Sequence, residues 1–117
     1  MPTLAVAHLR NVTVGPAIVE YLERIDATLA PFGGRFLVHG DRAEVLEGGW
    51  PDDIVAIEFP DRESARAWYC SPAYQDILPL RTDHSEADVI LVDTVTADHR
   101  ATDILTDLLP GPQGASG

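Results

Sequence analysis

The sequence predicts an α+β fold in a single domain of 117 residues. Three observations support this fold class. Short apolar runs typical of strands recur along the chain, apolar residues at helical spacing lie between them, and segments rich in Gly and Pro separate the two kinds of element. A chain of this length forms one modest core rather than two independent ones.

The first half of the chain predicts a strand, a helix and a hairpin. Residues 4–9 are a short apolar strand, and Pro16 stands at the first turn of an amphipathic helix. One face of this helix carries Ile18, Leu22, Ile25 and Leu29. Residues 35–39 predict a second strand, Gly40-Asp41 a turn, and residues 43–47 a third strand.

The second half predicts two further strands around a broken helix. Residues 54–59 and 89–95 are the strands, and Asp61 caps the helix between them. Pro72 ends this helix near Cys70, and a second short helical segment, residues 73–78, follows before Pro79. The order βαββ(β)αβ is a ferredoxin-like plan with one extra edge segment.

The chain beyond residue 95 is predicted to be an extension of the domain formed by residues 1–95. Within residues 96–109, Asp98 caps a short helix that Pro110 stops. The apolar face of this helix carries Ile104, Leu105, Leu108 and Leu109. Residues 110–117 are polar and rich in Gly and Ser, which predicts a disordered tail.

The strand pattern also predicts a homodimer. Residues 4–7, 54–57 and 89–92 are apolar on both strand faces, whereas a sheet covered by helices on one side normally alternates apolar and polar residues. Two helices cover only one face of such a sheet. We therefore expect a second copy of the chain to cover the other face.

The amino-acid composition limits the kinds of partner and the cellular compartment that we expect. The net charge of −11, with eight Arg and no Lys, argues against nucleic acid and anionic membranes as partners. A single Cys excludes an internal disulfide and a cysteine-based metal site. The sequence shows neither a signal-peptide pattern nor an apolar run of membrane-spanning length, so a cytoplasmic protein is the expectation.

The stretch Trp68-Tyr69-Cys70-Ser71-Pro72-Ala73-Tyr74, with Arg81 seven residues on, is the strongest candidate for a site. A bend between two helices brings polar-tipped aromatic side chains to a place where a ligand can reach them. The alternative is that Trp68, Tyr69 and Tyr74 are core residues that anchor a helix to the sheet. Cys70 lies at a helix C-terminus, which favours a packed thiol over a thiolate nucleophile.

Arg81 and the histidines are the candidates for charge and proton chemistry. Arg81 is suited to hold a carboxylate or enolate, the alternative being an ion pair with an acidic neighbour (Asp76, Asp83 or Glu86). His8 and His39 lie near strand ends and are suited to proton transfer. By simple alternation His39 shares a face with Arg35 and Leu37, and it enters a cavity only if that face is interior.

The other motifs in the sequence do not indicate a specific site. The loop residue Trp50 and the polar-loop residue His84 are further candidates for contact with a ligand. His84 and Glu86 offer two metal ligands without a specified third, so no metal site is predicted. Neither a phosphate-binding loop nor a nucleophile elbow occurs in the sequence.

Several ordered motifs resemble a small bacterial domain-of-unknown-function family of the dimeric α/β-barrel superfamily. They are Phe-Gly-Gly-Arg-Phe-Leu-Val at residues 32–38, Glu-Val-Leu-Glu-Gly and Trp-Pro at residues 44–51, Val-Ala-Ile-Glu-Phe-Pro at residues 55–60, and Trp-Tyr-x-Ser-Pro-x-Tyr at residues 68–74. The resemblance runs over about residues 4–95. It implies a ferredoxin-like protomer whose sheet pairs with that of a partner to enclose a barrel.

The resemblance leaves the activity open. The wider superfamily includes cofactor-free monooxygenases, lactone isomerases, polyketide cyclases, dehydratases and haem enzymes, and the fold does not choose among them. This chain also departs from the family, which tends to have Asp-Pro at the start of the first helix and an aromatic residue shortly after, where Val14-Gly15 and Ile18 stand here. Family members commonly have Asn at the position of Cys70. If that Asn is needed for the activity of the family, this chain is not expected to share that activity.

The resemblance to the superfamily, together with these candidate residues, favours the hypothesis of a cofactor-free enzyme for cyclisation, isomerisation or dehydration of a small aromatic or polyketide-like metabolite. In this hypothesis His39 or His8 moves a proton, and Arg81 with Tyr69 or Tyr74 stabilises the oxyanion. The remaining candidate residues line the ligand: Trp50, Trp68, Cys70 and His84. A noncatalytic dimer that binds a small molecule and a cofactor-independent monooxygenase are the alternatives.

Overall fold

A computed structural model of the chain describes residues 1–50 and 52–108. Its centre is a four-stranded antiparallel sheet in the order β2-β3-β1-β4. The strands are β1 (Thr3–Arg10), β2 (Arg35–His39), β3 (Asp53–Phe59) and β4 (Glu86–Asp93). The helices are α1 (Pro16–Leu29), α2 (Arg62–Cys70), α3 (Pro72–Thr82) and the single turn α4 (Leu105–Leu108). The predicted ferredoxin-like α+β fold is confirmed.

The helix break at Ser71 follows from local sequence. The Ser71 hydroxyl donates to the Trp68 carbonyl at 2.7 Å and accepts from the Tyr74 amide at 3.2 Å, so one residue ends α2 and caps α3. Asp61 caps α2 by accepting from the Ser64 amide at 2.7 Å, as predicted. The chain therefore turns sharply between two helices that both pack on the sheet.

Two sequence predictions, the end of α3 at Pro79 and the strand at residues 43–47, are wrong. Pro79 does not end α3, which continues to Thr82, because a proline removes one hydrogen bond while the flanking turns remain bonded and bury Ile77 and Arg81. Residues 43–47 do not form a strand. Val45 and the 86%-exposed Leu46 lie in a loop, because β2 ends at His39 and no strand within residues 1–50 and 52–108 pairs with this segment.

The other strand and extension boundaries also shift. β4 begins at Glu86 rather than at residue 89 and ends at Asp93, because its whole length pairs with β1. Asp98 does not cap a helix, since it accepts from the Thr96 hydroxyl at 2.6 Å. The cap is made by Asp103, which accepts from the Arg100 amide ahead of the 3₁₀ turn Ala101–Ile104. Leu109, Pro110 and the predicted disordered tail of residues 110–117 lie outside the described residues.

The core fills the space between the helices and one face of the sheet. Phe59 is fully buried, and its ring centroid lies 5.3 Å from that of the buried Trp68. Trp68 is thus a core residue, as the alternative interpretation of the sequence held. The indole N–H of Trp68 donates to the Thr28 hydroxyl at 3.0 Å, so its polar end is satisfied within the core.

The opposite face of the sheet is apolar and uncovered in the single chain. Cross-strand pairing places Val6 between Ala56 and Ile90, and Val38 opposite Ala56. Ile90 is 56% exposed, and Val38 and Val92 are also exposed. This distribution agrees with the apolar pattern on both strand faces that the sequence shows.

Gly34 offers a test of the core packing. A Cβ atom at this position would lie 2.7 Å from Cε1 of Phe59 and 2.9 Å from Cδ2 of Leu29. We expect Gly34→Ala to lower the free energy of unfolding by about 1–3 kcal/mol in chemical denaturation, because the core must shift to admit a methyl group. Gly49→Ala is the matched control: nothing lies within 4 Å of its Cβ position, and its effect should stay within about 0.5 kcal/mol. Equal effects would contradict this packing.

Candidate functional site

A cavity of about 100 Å³ lies between the helices and the covered face of the sheet. All four strands, α1 and α3 contribute to its wall, which is mostly apolar. Its volume is several times the roughly 10–15 Å³ that one water requires. The sequence pattern left open which face of the sheet carries the cavity, and this cavity lies on the face that the helices cover. The barrel enclosed with a partner's sheet stays a prediction.

Two tyrosines form the most deeply buried polar pair of the cavity wall. The hydroxyl oxygens of Tyr21 and Tyr74 lie 2.7 Å apart and share a hydrogen bond, with their rings edge to face. Burial raises the pKa of Tyr21, and the neighbouring Tyr74 raises it further, whereas Arg81 acts in the opposite direction. Tyr21 is therefore a neutral hydroxyl at pH 7.

Arg81 is the cation of the cavity wall. It is only 8% exposed, and its guanidinium carbon lies 5.9 Å from the ring centroid of Tyr21, in the range of a cation–π contact. Burial alone would lower the pKa of Arg81, but the oxygens of Tyr74 and Tyr21 outweigh burial and raise it, so the side chain stays charged.

Arg81 makes no ion pair within the described part of the chain. Of the acidic neighbours that the sequence offered, Asp76 binds Arg24 at 2.8 Å and Glu86 accepts from Asn11 at 3.1 Å. The charge of Arg81 is therefore available to a bound anion, as its predicted role requires.

Helix α3 brings these groups to the cavity. Tyr74, Ile77 and Arg81 stand at spacings of three and four residues, which places them on one helical face, and all three are buried. Tyr74 is held in place by Trp68, whose ring centroid lies 4.2 Å away. The packing of the helix break against α1 therefore fixes the orientation of the Tyr74 hydroxyl.

His39 lines the rim of the cavity, for a reason that alternation did not predict. A β-bulge between Phe36 and Val38 inserts Leu37 as an extra residue, so His39 shares a face with Phe36 and not with Arg35. The imidazole stacks on Phe36 with ring centroids 4.2 Å apart. The residue is exposed overall, which leaves the ring open to solvent and to the cavity.

His8 lies on the opposite face of the sheet from the cavity. Its Nε2 donates to the Asp52 carboxylate at 2.8 Å, because its Nδ1 faces the Arg10 guanidinium, a donor, at 3.3 Å. The Trp50 ring lies 5.1 Å from the His8 ring, so Trp50 is also on this side. The structure therefore does not bring His8 and Trp50 together with Arg81.

The remaining sequence candidates lie around the cavity rather than in its wall. Tyr69 packs 5.5 Å from Tyr74 and lines an outer groove that Arg81 also borders. Cys70 is exposed at the end of α2, and His84 is exposed in the loop before β4, where its carbonyl accepts from the Thr13 amide. Of the nine site residues that the sequence suggested, three border the cavity: His39, Tyr74 and Arg81.

Tyr21 is the residue that sequence reasoning missed. It lies three residues after Ile18 and four before Ile25, on the face of α1 that is buried, and this spacing was its available signal. Leu22, which was assigned to that face, is 45% exposed. The helix is thus rotated slightly from the expected orientation.

The described residues offer neither a metal-binding cluster nor a membrane-spanning helix. No group of three or more His, Cys, Asp or Glu residues in residues 1–50 and 52–108 is arranged to hold a metal ion. None of the described helices is long and apolar enough to cross a membrane.

The chain matches a known protein family over most of its length. Residues 2–95 match the family described as "Domain of unknown function (DUF1330)". The chain belongs to this family. The match covers β1 through β4 and ends just after the sheet, so the 3₁₀ turn and α4 lie beyond it. The resemblance seen in the sequence motifs is confirmed, and no curated protein matches the chain.

Solved structures show the same fold for this DUF1330 member. A protein of unknown function from Rhodopseudomonas palustris is 16% identical, with a TM-score of 0.61 over 81% of this chain and 83% of that one. A dimeric ferredoxin-like protein of unknown function from Thermobifida fusca is 17% identical, with a TM-score of 0.58 over 80% and 92%. SnoaB from Streptomyces nogalater, described as a cofactor-independent oxygenase, is 12% identical, with a TM-score of 0.58 over 85% and 98%.

The buried Tyr21 hydroxyl makes stability depend on alkaline pH. Because the pKa of Tyr21 is raised by folding, its stabilising contribution is complete below the ordinary phenol pKa of about 10 and is lost as pH rises beyond it. We expect Tyr21→Phe to flatten the fall of the unfolding free energy above pH 10. Tyr74→Phe removes two causes of the shift but leaves burial, so the fall should persist above pH 10 and level off at a lower pH than in the wild type. Identical pH profiles of the wild type and Tyr21→Phe would contradict the assignment.

Proposed function

We propose that this protein is a cofactor-independent enzyme that transfers a proton on a small, mainly apolar carbonyl compound held in the cavity. The observation that carries the proposal is the cluster of donors, Arg81 with the Tyr21 and Tyr74 hydroxyls, in an apolar cavity whose rim holds His39. Apolar pockets with a few convergent polar groups are the usual form of small-molecule sites.

The proposed reaction begins with His39. Its neutral imidazole accepts a proton from a carbon next to the carbonyl, which leaves an imidazolium and an enolate. General-base catalysis of this kind contributes about 10²–10⁴-fold in rate. His39 is suited to the role because its ring is held by Phe36 at the rim and has no carboxylate partner among the described residues.

The donors stabilise the negative charge that forms on the carbonyl oxygen. Arg81 and the hydroxyl of the tyrosine pair whose proton is not used within the pair are preorganised donors on buried residues of the cavity wall. Each such donor is worth on the order of 10²–10³-fold in rate. Return of the proton to another carbon gives isomerisation. In dehydration the enolate expels the hydroxyl group of the β-carbon, which takes the imidazolium proton and leaves as water. In cyclisation the enolate carbon attacks a second carbonyl, and the alkoxide that forms takes the imidazolium proton.

The structural likeness to SnoaB favours one alternative, a cofactor-independent oxygenase. The first step is the same, because an electron-rich enolate or phenolate formed by the base is the species that reacts directly with oxygen. The other alternative is a noncatalytic binding protein, in which the same donors hold the ligand without turnover.

We also propose that the protein is a homodimer formed through the uncovered face of the sheet. Two similar solved structures are described as dimeric ferredoxin-like proteins. The face is apolar at its centre, and two ion pairs lie at its rim, Arg10 with Asp88 at 2.8 Å and Arg35 with Glu58 at 3.0 Å. An apolar centre with a polar rim is typical of protein–protein interfaces.

The proton-transfer proposal is tested by hydrogen exchange at carbon. In D₂O, NMR would follow deuterium entry next to the carbonyl of benzoylacetone and of phenylpyruvate. We expect the protein to accelerate exchange of at least one probe, and His39→Ala to lose most of the acceleration. His84→Ala is the control, because His84 is exposed and lies outside the cavity.

The results separate the three functions. Exchange that survives His39→Ala contradicts the role of this histidine, and no exchange with either probe favours the binding protein. An oxygen electrode on the same samples identifies an oxygenase by consumption of oxygen that depends on the probe.

The dimer is tested by one charge on the uncovered face. Ile90→Asp places a carboxylate at the centre of that face, and we expect native mass spectrometry to show a monomer in place of the dimer, because an unpaired charge is costly to bury. Val14→Asp is the control, since Val14 is 77% exposed in the loop before α1. A dimeric Ile90→Asp or a monomeric wild type contradicts the interface.

A further inference from the structure

We infer that the cavity binds its ligand as an organic anion, specifically the carboxylate of a small aromatic or branched aliphatic acid, through Arg81 and the Tyr21–Tyr74 pair. This inference rests on the cavity that the proposed function uses, and it goes further by specifying the charge of the bound molecule before any reaction. Three independent features of the cavity wall support it.

The first feature is an unbalanced charge. Arg81 is buried and charged, and the described residues that line the cavity include no Asp or Glu. Moving a cation out of water costs several kcal/mol unless an anion meets it. The Tyr21 hydroxyl beside Arg81 does not supply that anion, because burial raises the pKa of Tyr21 and keeps it protonated at neutral pH. A bound carboxylate would neutralise the guanidinium.

The second feature is a count of donors and acceptors. Arginine has five N–H donors and no acceptor, and a neutral tyrosine has one donor. One hydroxyl proton of the tyrosine pair is used between Tyr21 and Tyr74, and the other has no protein acceptor among the described hydrogen bonds. The buried end of the cavity is therefore rich in donors, and a carboxylate, which only accepts, is its complement.

The third feature is the shape and polarity of the rest of the wall. Ile18, Leu22, Ile25 and Val55 contribute aliphatic surface, and the volume of about 100 Å³ limits the ligand to one ring or a short branched chain. A ligand with a charged head and a compact apolar body fits both ends of the cavity. A polyanion or an extended polar molecule fits neither.

The overall charge of the protein does not prevent such binding. The net charge of −11 repels anions at a distance, but salt screens that repulsion over roughly 8 Å at physiological ionic strength. The contact with Arg81 is buried and is screened much less. Selectivity for an anion in so acidic a protein must therefore come from the cavity itself.

The test compares benzoate with benzamide, which has nearly the same shape without the charge. Isothermal titration calorimetry on the full-length protein at physiological ionic strength should show benzoate binding roughly 10- to 100-fold more tightly, the range expected for hydrogen bonds to a charged group. Arg81→Met should remove this preference, and Arg66→Met should keep it, because Arg66 is an exposed arginine outside the cavity.

Two further readouts keep the test decisive. The melting temperature of ligand-free Arg81→Met shows whether this variant is folded before its preference is measured. The benzoate preference of the unmodified protein needs no variant, so a folding defect in Arg81→Met leaves the test intact. Equal affinity for the two probes, no binding of benzoate, or a benzoate preference that survives Arg81→Met overturns the inference.

Failure of this inference and failure of the proposed function give different results. Benzoate binding that depends on Arg81, without carbon-hydrogen exchange in any probe, supports the anion site and contradicts the enzyme. Exchange that depends on His39, with benzoate and benzamide bound equally, supports the enzyme and contradicts the anion site.

Discussion

The hydrogen bond between the Tyr21 and Tyr74 hydroxyls joins α1 to α3 at the buried end of the cavity. Both residues belong to the core and line the cavity, so the same contact packs the helices and supplies polar groups to the cavity wall. The buried Arg81 guanidinium lies over the Tyr21 ring beside this contact. The cavity and its polarity therefore depend on one interhelical contact.

The sequence predicts the fold well because the fold is set by local and repeated signals. Pro16, Asp61 and the Ser71-Pro72 pair mark helix ends through their own backbone chemistry, and the structure has helices that begin or end at each of them. The apolar character of three strands on both faces likewise appears as a covered and an uncovered face. The strand predicted at residues 43–47 does not form, because strand propensity without a pairing partner does not make a strand.

The site was predicted only in part, since its geometry depends on tertiary detail. Arg81 and Tyr74 were found from residue type and proximity in the chain. His39 was found for the wrong reason, because a single inserted residue in β2 reverses the face that alternation assigns. Tyr21 was missed, since a lone tyrosine on the apolar face of a helix gives no sign that its hydroxyl meets another 53 residues away.

A crystal structure with 4-bromobenzoate tests the central claim most directly, because the anomalous signal of bromine locates the ligand without ambiguity. The account predicts bromine among the aliphatic side chains of α1 and β3, with the carboxylate bonded to Arg81 and to a hydroxyl of the tyrosine pair. Bromine on the uncovered face of the sheet or in the outer groove beside Tyr69, with Arg81 free of the carboxylate, would contradict it.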